Sequence, residues 1–238
     1  MTVHSHSFAE LGVVSTATVQ GEWTVQAALE ESSISNKPVE GSESPVPFIH
    51  ILERLKTTKR EGWRRFGITY CESISDHMYR MAIMAMILPA SLAARVDQDK
   101  CIKMALIHDM AELLVGDITP VDGVPKLEKS RRESQTMDYL TKTLLGRFDG
   151  GLAGKQIREI WQEYEDSKTF ESIVVHDLDK LELLHQMVDY EKRANGELDL
   201  GEFTYVATKV VTPEINDMAA QVLAERKAFW ENKGQPSH

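Results

Sequence analysis

The sequence predicts an all-α protein, and three observations carry that expectation. Apolar residues recur at helical spacing from Phe48 onward, as in Met81, Met84, Ala85 and Leu88. Helix start and stop signals bracket those runs, with Ser73, Ser75, Asp97 and Asp99 at the fronts and Gly116 at a rear. No stretch shows the apolar–polar alternation of a strand over a useful length, and neither an internal repeat nor a coiled-coil heptad is evident.

Taken in order, residues 1–46 stand apart. They hold six acids (Glu10, Glu22, Glu30, Glu31, Glu40 and Glu43), one Lys and many Ser and Thr, and SSISNKPVEGSESPVP reads as a linker. A short helix around Val25–Glu31 would have little to pack on, so the tail is expected to be mostly disordered. The folded domain is expected over 47–232. PFIHILERLKTT opens its first helix, and KREGWRRFGITYCES follows as a basic, aromatic loop. Ser73 or Ser75 caps a helix through about Leu88, with His77 one turn before Met81 at the start of the buried face. Asp97 or Asp99 opens the next helix, which carries Ile102, Ala105, Leu106 and Leu113 inward and stops at Gly116. DITPVDGVPK is a loop, and KLEKSRRESQTMDYLTKTLLGRF an amphipathic helix. Helices near Lys155–Glu165 and Thr169–Ala194 follow; NGELDLGEF turns the chain into a last helix over Pro213–Trp230.

Composition excludes several function classes. The chain has 238 residues, enough for one domain of ordinary size plus a tail, and 42% are hydrophobic. A formal net charge of −10 argues against a nucleic-acid polymer or an anionic membrane as partner, because no basic field would meet the phosphates. A small phosphate compound needs only a local cluster and stays open. No run approaches the ~20 apolar residues that span a bilayer. Cys71 and Cys101 form no CxxC motif and read as free thiols, which fits a reducing compartment. With neither a signal peptide nor a mitochondrial presequence at the front, this points to the cytoplasm and leaves the nucleus open.

The chemistry-bearing feature is the pair His108-Asp109 in ALIHDMAELLVGD, with His77 upstream in SISDHMYRM and Asp179 downstream in HDLDKLELL. Two imidazoles and two carboxylates can hold one divalent ion, a set that suits several metals. On a helix, His108 and Glu112 are four apart and Asp109 and Glu112 three apart, so all three can face one cavity. His77 and the distal aspartate must come from other helices. Glu112 is suited to orient or deprotonate a water, and Asp117, just past Gly116, to act as a second acid/base group or to hold a sugar hydroxyl. A single histidine on an apolar helix is more often a satisfied core residue; six polar residues in this pattern are harder to dismiss. His4, His6 and His238 lie at the chain ends, and His50, His176 and His185 read as structural or exposed. Spacing alone leaves Asp177 and Asp179 as competing distal ligands.

The H…HD…D pattern resembles the HD-domain metal-dependent phosphohydrolases. The strings ESISDHMYRMAIMAM, ALIHDMAELLVGDITPVDGVPK, EKSRRES and DLDKLELLHQMVDYE are closer still to the HDDC2 and YfbR-type 5'-deoxynucleotidases, over about Phe48 to Trp230. The resemblance implies an HD-domain helical bundle, usually a homodimer, that hydrolyses deoxyribonucleoside 5'-monophosphates. It implies one divalent metal ion (Mn, Co, Mg, Fe or Zn) on His77, His108, Asp109 and Asp179, which selects Asp179 over Asp177. It implies that Glu112 positions the attacking water and that Asp117 stands near the sugar and the scissile phosphate. It also implies that Arg60 and Trp63 belong to the segment that contacts phosphate and rejects a 2'-hydroxyl. Guanidinium forks on Arg60, Arg64 and Arg65 match phosphate, and Trp63 offers a rigid wall. Relatives often carry Arg three residues after this Trp; here that position is Phe66, so the phosphate-binding arginine stays open among the three.

Three rival readings follow from the same residues. An HD phosphohydrolase for a triphosphate, a cyclic nucleotide or (p)ppGpp would need more recognition surface. A di-iron HD oxygenase would need further phased histidines. A metal-stabilised scaffold would have no use for Glu112 and Asp117.

Overall fold

The computed structural model describes residues 22–31 and 38–234. The regular elements among those residues are all helices, with no strand; one isolated antiparallel bridge pairs Lys59 with Ser73. The α-helices are α1 (Val25–Glu31), α2 (Val46–Ile51), α3 (Arg54–Thr57), α4 (Glu61–Arg64), α5 (Ile74–Met86), α6 (Ala90–Ala93), α7 (Gln98–Ala105), α8 (Glu112–Val115), α9 (Lys126–Asp138), α10 (Leu152–Asp166), α11 (Phe170–Arg193) and α12 (Pro213–Asn232). They divide into two compact units. The first runs to His77 and resumes over His108–Glu159; the second takes Met78–Ile107 and the chain from Ile160 onward.

In the first unit, α8 is the central short element. It packs against α1, α3 and α9, and Leu113, Leu114 and Val115 are buried with it. Arg54 on α3 donates from Nε to the Leu113 carbonyl at 2.5 Å, satisfying a backbone oxygen at the end of this one-turn helix. The start of α5 is fixed by reciprocal capping: the Ser73 hydroxyl accepts from Asp76 N–H, and the Asp76 carboxylate accepts from Ser73 N–H.

Four expectations are corrected here. The acidic tail does not lack a partner: α1 forms and packs on α8 and α9, with Trp23 only 1% exposed and Ala28 and Leu29 buried. Burial of one aromatic and two aliphatic side chains supplies what the local composition does not. Residues 1–21 and 32–37, also part of the expected disordered tail, lie outside the described residues. Second, the basic loop contains a helical turn, α4, and its ends are tied by bonds from Arg60 N–H to the Glu72 carbonyl and from Ile74 N–H to the Thr58 carbonyl. Third, the helix expected from Asp97 to Gly116 is interrupted. Asp97 does cap it, but α7 stops at Ala105, and the N–H groups of Glu112, Leu113 and Leu114 bond three residues back. Such tighter winding eclipses side chains at i and i+3. Fourth, the amphipathic helix from Lys126 passes at Tyr139 into a π-helical turn over Tyr139–Leu144.

In the second unit α11 is the spine, packed by α7, α12 and the 3-10 segment Gly201–Lys209. Its buried stripe includes Val174, Leu178, Leu181, Leu184 and Met187. Glu191 is buried with them. It accepts from Arg226 Nε at 2.9 Å, from the Trp230 indole N–H at 2.9 Å and from Leu200 N–H at 2.7 Å, so the charge is fully partnered where burial would otherwise be costly.

The π-helical turn and α10 approach very closely at Gly154, where an added Cβ would lie 2.2 Å from the Thr141 carbonyl oxygen. A Gly154→Ala protein is expected to be destabilised by about 1–3 kcal/mol or more through this overpacking. Thermal unfolding followed by circular dichroism would show a fall of roughly 2–4 °C per kcal/mol; an unchanged midpoint would reject the close approach.

Candidate metal centre and its acidic surround

His108 and Asp109 lie in the tight turns between α7 and α8, and His77 lies one turn into α5. The first unit brings the three together. His108 Nε2 is 3.1 Å from Asp109 Oδ2, His77 Nε2 is 3.8 Å from the same oxygen, and the two imidazole centroids are 5.5 Å apart at an interplanar angle of 62°. One donor atom from each residue falls within 4.8 Å of the others. Both histidines are buried and Asp109 is partly exposed, so the cluster is accessible from one side.

The donor set fits a divalent ion. Two neutral imidazoles and a carboxylate suit borderline metals, and three donors leave room for a further protein ligand and for water. Glu112 supplies a second argument. It is 3% exposed, and its Oε2 is buried with no hydrogen-bond partner among the described residues. Such an oxygen is costly to leave dry, and a water on the open side of an ion in this cluster would satisfy it.

Three carboxylates crowd this region, and their neighbours sort them. Burial alone would raise the Asp109 carboxyl; His108, Arg60 and His77 outweigh it and hold the group well below the usual range. Burial pushes the Glu112 carboxyl well above its ordinary value, helped by Asp109 and Asp117 and opposed by Lys129 and Arg60. The i→i+3 winding sets Asp109 and Glu112 on one line, which accounts for their mutual repulsion. Asp117 accepts from Glu61 N–H at 2.7 Å and stands 4.0 Å from Arg60 Nη1. It follows Gly116, whose φ of 77° and ψ of 166° belong to a region that only glycine enters freely.

Of the loop arginines, Arg60 is the one brought to the cluster, with Nη1 3.3 Å from Asp109 Oδ2. Arg64 pairs with Glu61 at 2.5 Å on α4. Arg65 is exposed at the C-terminal end of α4, with no described contact to the cluster. Trp63 is 2% exposed, and its indole N–H donates to Glu72 at 2.8 Å. The ring braces the loop, and a direct wall against a sugar would require the loop to open.

Asp177 and Asp179 both lie on α11, in the second unit. Asp177 is committed there: its carboxylate accepts from Val211 N–H at 3.1 Å, Thr212 N–H at 2.7 Å and Lys180 at 3.2 Å. It thereby fixes the entry to α12. Asp179 projects about 200° further round the helix, away from those bonds.

Sequence reasoning passed over Lys129. Its ammonium is 3.8 Å from Glu112, 3.6 Å from Glu133, and donates to the Ile118 carbonyl at 3.1 Å. Burial would lower it, but Glu112 and Glu133, backed by Asp109 and Asp117, raise it above its ordinary value. The signal was the run EKSRRES on the first turns of α9. Its charges read as a solvated face, and nothing in the spacing says which of them turns inward.

Comparisons with known proteins show the family. The HD-domain family pattern matches residues 52–219. The 5'-deoxynucleotidase hdd1 of Schizosaccharomyces pombe is 43% identical over 189 residues, 79% of this chain and 93% of its own length. The 5'-deoxynucleotidase HDDC2 of Homo sapiens is 38% identical over 187 residues, 78% of this chain and 88% of its own. The solved structure of the HD domain-containing protein YGK1 covers 87% of this chain and 94% of its own at a TM-score of 0.61 and 31% identity. The matched segment contains the histidine–aspartate cluster and both acids behind it, and the chain belongs to the HD-domain family.

Proposed function

We propose that this protein is a metal-dependent 5'-deoxynucleotidase, hydrolysing deoxyribonucleoside 5'-monophosphates to the deoxynucleoside and phosphate. The observation that carries the reading is the cluster of His77, His108 and Asp109 with Glu112 buried beside it. The relatives named 5'-deoxynucleotidase support the substrate class. The catalytic domain in this reading is 47–232, and Asp179 is the fourth ligand, favoured because Asp177 is engaged elsewhere. The ion is Mn, Co, Mg, Fe or Zn, since such a donor set accepts several. A homodimer acting in the cytoplasm completes the proposal; the family resemblance and the buried free thiols support it.

A divalent ion in the cluster supplies positive charge for a phosphate oxygen and makes a nearby water more acidic. The chain's own groups do the rest. Glu112 orients the attacking water and takes its proton, a role its buried, unpartnered Oε2 is placed to fill. Lys129 holds the other oxygen side of the same carboxylate. Arg60 is the phosphate-binding arginine of choice, because it alone of the three stands at the cluster. As water adds to phosphorus, the bond to the sugar 5'-oxygen breaks and that oxygen takes up a proton from solvent, to which Glu112 then returns the one it took; Asp117 is assigned to this end and anchors the loop through Glu61 N–H. The loop braced by Trp63 is assigned the rejection of the 2'-hydroxyl. Arg64 and Arg65 lie outward of it and set its charge.

Phosphate release should be metal-dependent and confined to the deoxy members of a panel pairing each deoxynucleoside 5'-monophosphate with its ribonucleotide. Equal release from both kinds would remove the sugar selectivity and keep the hydrolase; no release by folded, metal-loaded protein would sink the nucleotidase. Glu112→Gln should lose about a hundred- to ten-thousand-fold in kcat while still binding metal. Arg60→Ala should lower kcat/KM more than Arg65→Ala does, by roughly tenfold or more for a charge-assisted contact. Asp179→Asn should lose metal by plasma emission analysis yet stay folded. Asp177→Asn should keep metal and lose about 1–3 kcal/mol of stability; the reverse pattern would exchange their roles.

A further inference from the structure

We infer that the stretches 22–31 and 38–45, which precede the matched HD segment, form an intramolecular strap that positions α8 and α9. Trp23 is then a positioning residue for the proposed reaction. The inference rests on the nucleotidase reading only for its kinetic consequence.

The first stretch sits on the two helices that carry Glu112 and Lys129. α1 packs on both α8 and α9. Trp23 is buried at that seam, its carbonyl accepts from Arg131 Nη2 at 3.0 Å, and the Arg132 guanidinium lies 5.8 Å from its ring centroid. Both arginines are held by Glu128, at 2.7 Å from each Nε, so the first turns of α9 and the strap form one hydrogen-bonded block. Lys129 is in the middle of that block, and its ammonium is the cation nearest Glu112 that α9 provides. The second stretch follows the same line of the fold: Gly41 N–H bonds to the Thr143 carbonyl at 3.3 Å, and Glu43 pairs with Arg147 at 3.1 Å. Trp23 thus meets two arginines of α9, and Glu43 meets a third arginine beyond it.

The family match begins at residue 52, so the strap precedes the matched segment while packing on two of its helices, α8 and α9. Exposed ion pairs such as Glu43–Arg147 contribute little; the buried indole is the anchor. No contact of Trp23 with the cluster is needed. α8 is a single turn, and its register depends on what packs against it.

The test is Trp23→Ala in the full chain, read by amide hydrogen exchange and by steady-state kinetics on a deoxynucleoside 5'-monophosphate. Exchange in α8 and the first turns of α9 should rise about tenfold, with α11 unchanged. In parallel, kcat should fall roughly tenfold with KM within about threefold, and Trp23→Phe should restore both. Unchanged exchange in α8 and α9, or an equal rise in α11, would overturn the strap. Local loosening in a protein whose wild type hydrolyses no deoxynucleotide would uphold the strap and reject the nucleotidase. If Trp23→Ala does not fold, Leu29→Ala is read in the same way.

Discussion

Like charges that share a buried region must be separated, neutralised or lost, and that constraint organises the first unit. Asp109, Glu112 and Asp117 come from a nine-residue segment, and each is wholly or largely removed from solvent. At the effective dielectric of a protein, neighbouring carboxylates cost each other about a few kcal/mol. The fold answers with different partners for each: Arg60 and the two imidazoles toward Asp109, Lys129 toward Glu112, and the Glu61 N–H together with the shared Arg60 toward Asp117. The arrangement charges Asp109 and leaves Glu112 inclined to hold a proton. Two side-chain carboxyls three residues apart thereby take opposite charge tendencies, which match the ligand and proton-acceptor roles proposed for them, and a bound cation would tip the second toward its ionised form.

Backbone geometry serves the same end. A regular helix through 98–116 would leave Asp109 and Glu112 about 60° apart round its axis. The i→i+3 bonds of Glu112, Leu113 and Leu114 wind the segment more tightly. Gly116 then breaks it in a conformation that aims Asp117 back at the loop. Local irregularity of this kind is commonly found where side chains must converge.

Much of this was legible in the sequence, and the gaps have physical causes. Helix existence could be read from spacing and caps: Ser73 and Asp97 do cap, and α11 and α12 run where their apolar stripes place them. The histidine–aspartate cluster was legible because two histidines, His77 and His108, stand in apolar surroundings, the second beside Asp109. Helix breaks were not, since a 3-10 or π turn keeps the same apolar pattern while shifting the hydrogen-bond partner by one residue. α1 was underrated because local composition cannot report a partner more than a hundred residues away: Trp23 packs at Arg131 and Arg132. Lys129 was hidden for a similar reason. In a helix rich in Lys, Arg and Glu, tertiary packing alone decides which charge faces inward. Asp177, indistinguishable from Asp179 by spacing, is engaged by the Val211 and Thr212 amides, a tertiary contact that spacing does not report.

The basic loop closes on itself at its base, where Lys59 faces Ser73 and the flanking backbone groups bond across. Arg60 stands at that clasp, beside the Cys71 thiol, which donates to its carbonyl at 3.6 Å. Arg65 and Tyr70, by contrast, are exposed further along the loop. A closed cassette of this kind separates two evolutionary tasks. Its root is held in register with the acid cluster, while its tip is free to vary in length, charge and shape without disturbing the atoms that do the chemistry. Change in what is recognised can therefore outpace change in what is done to it.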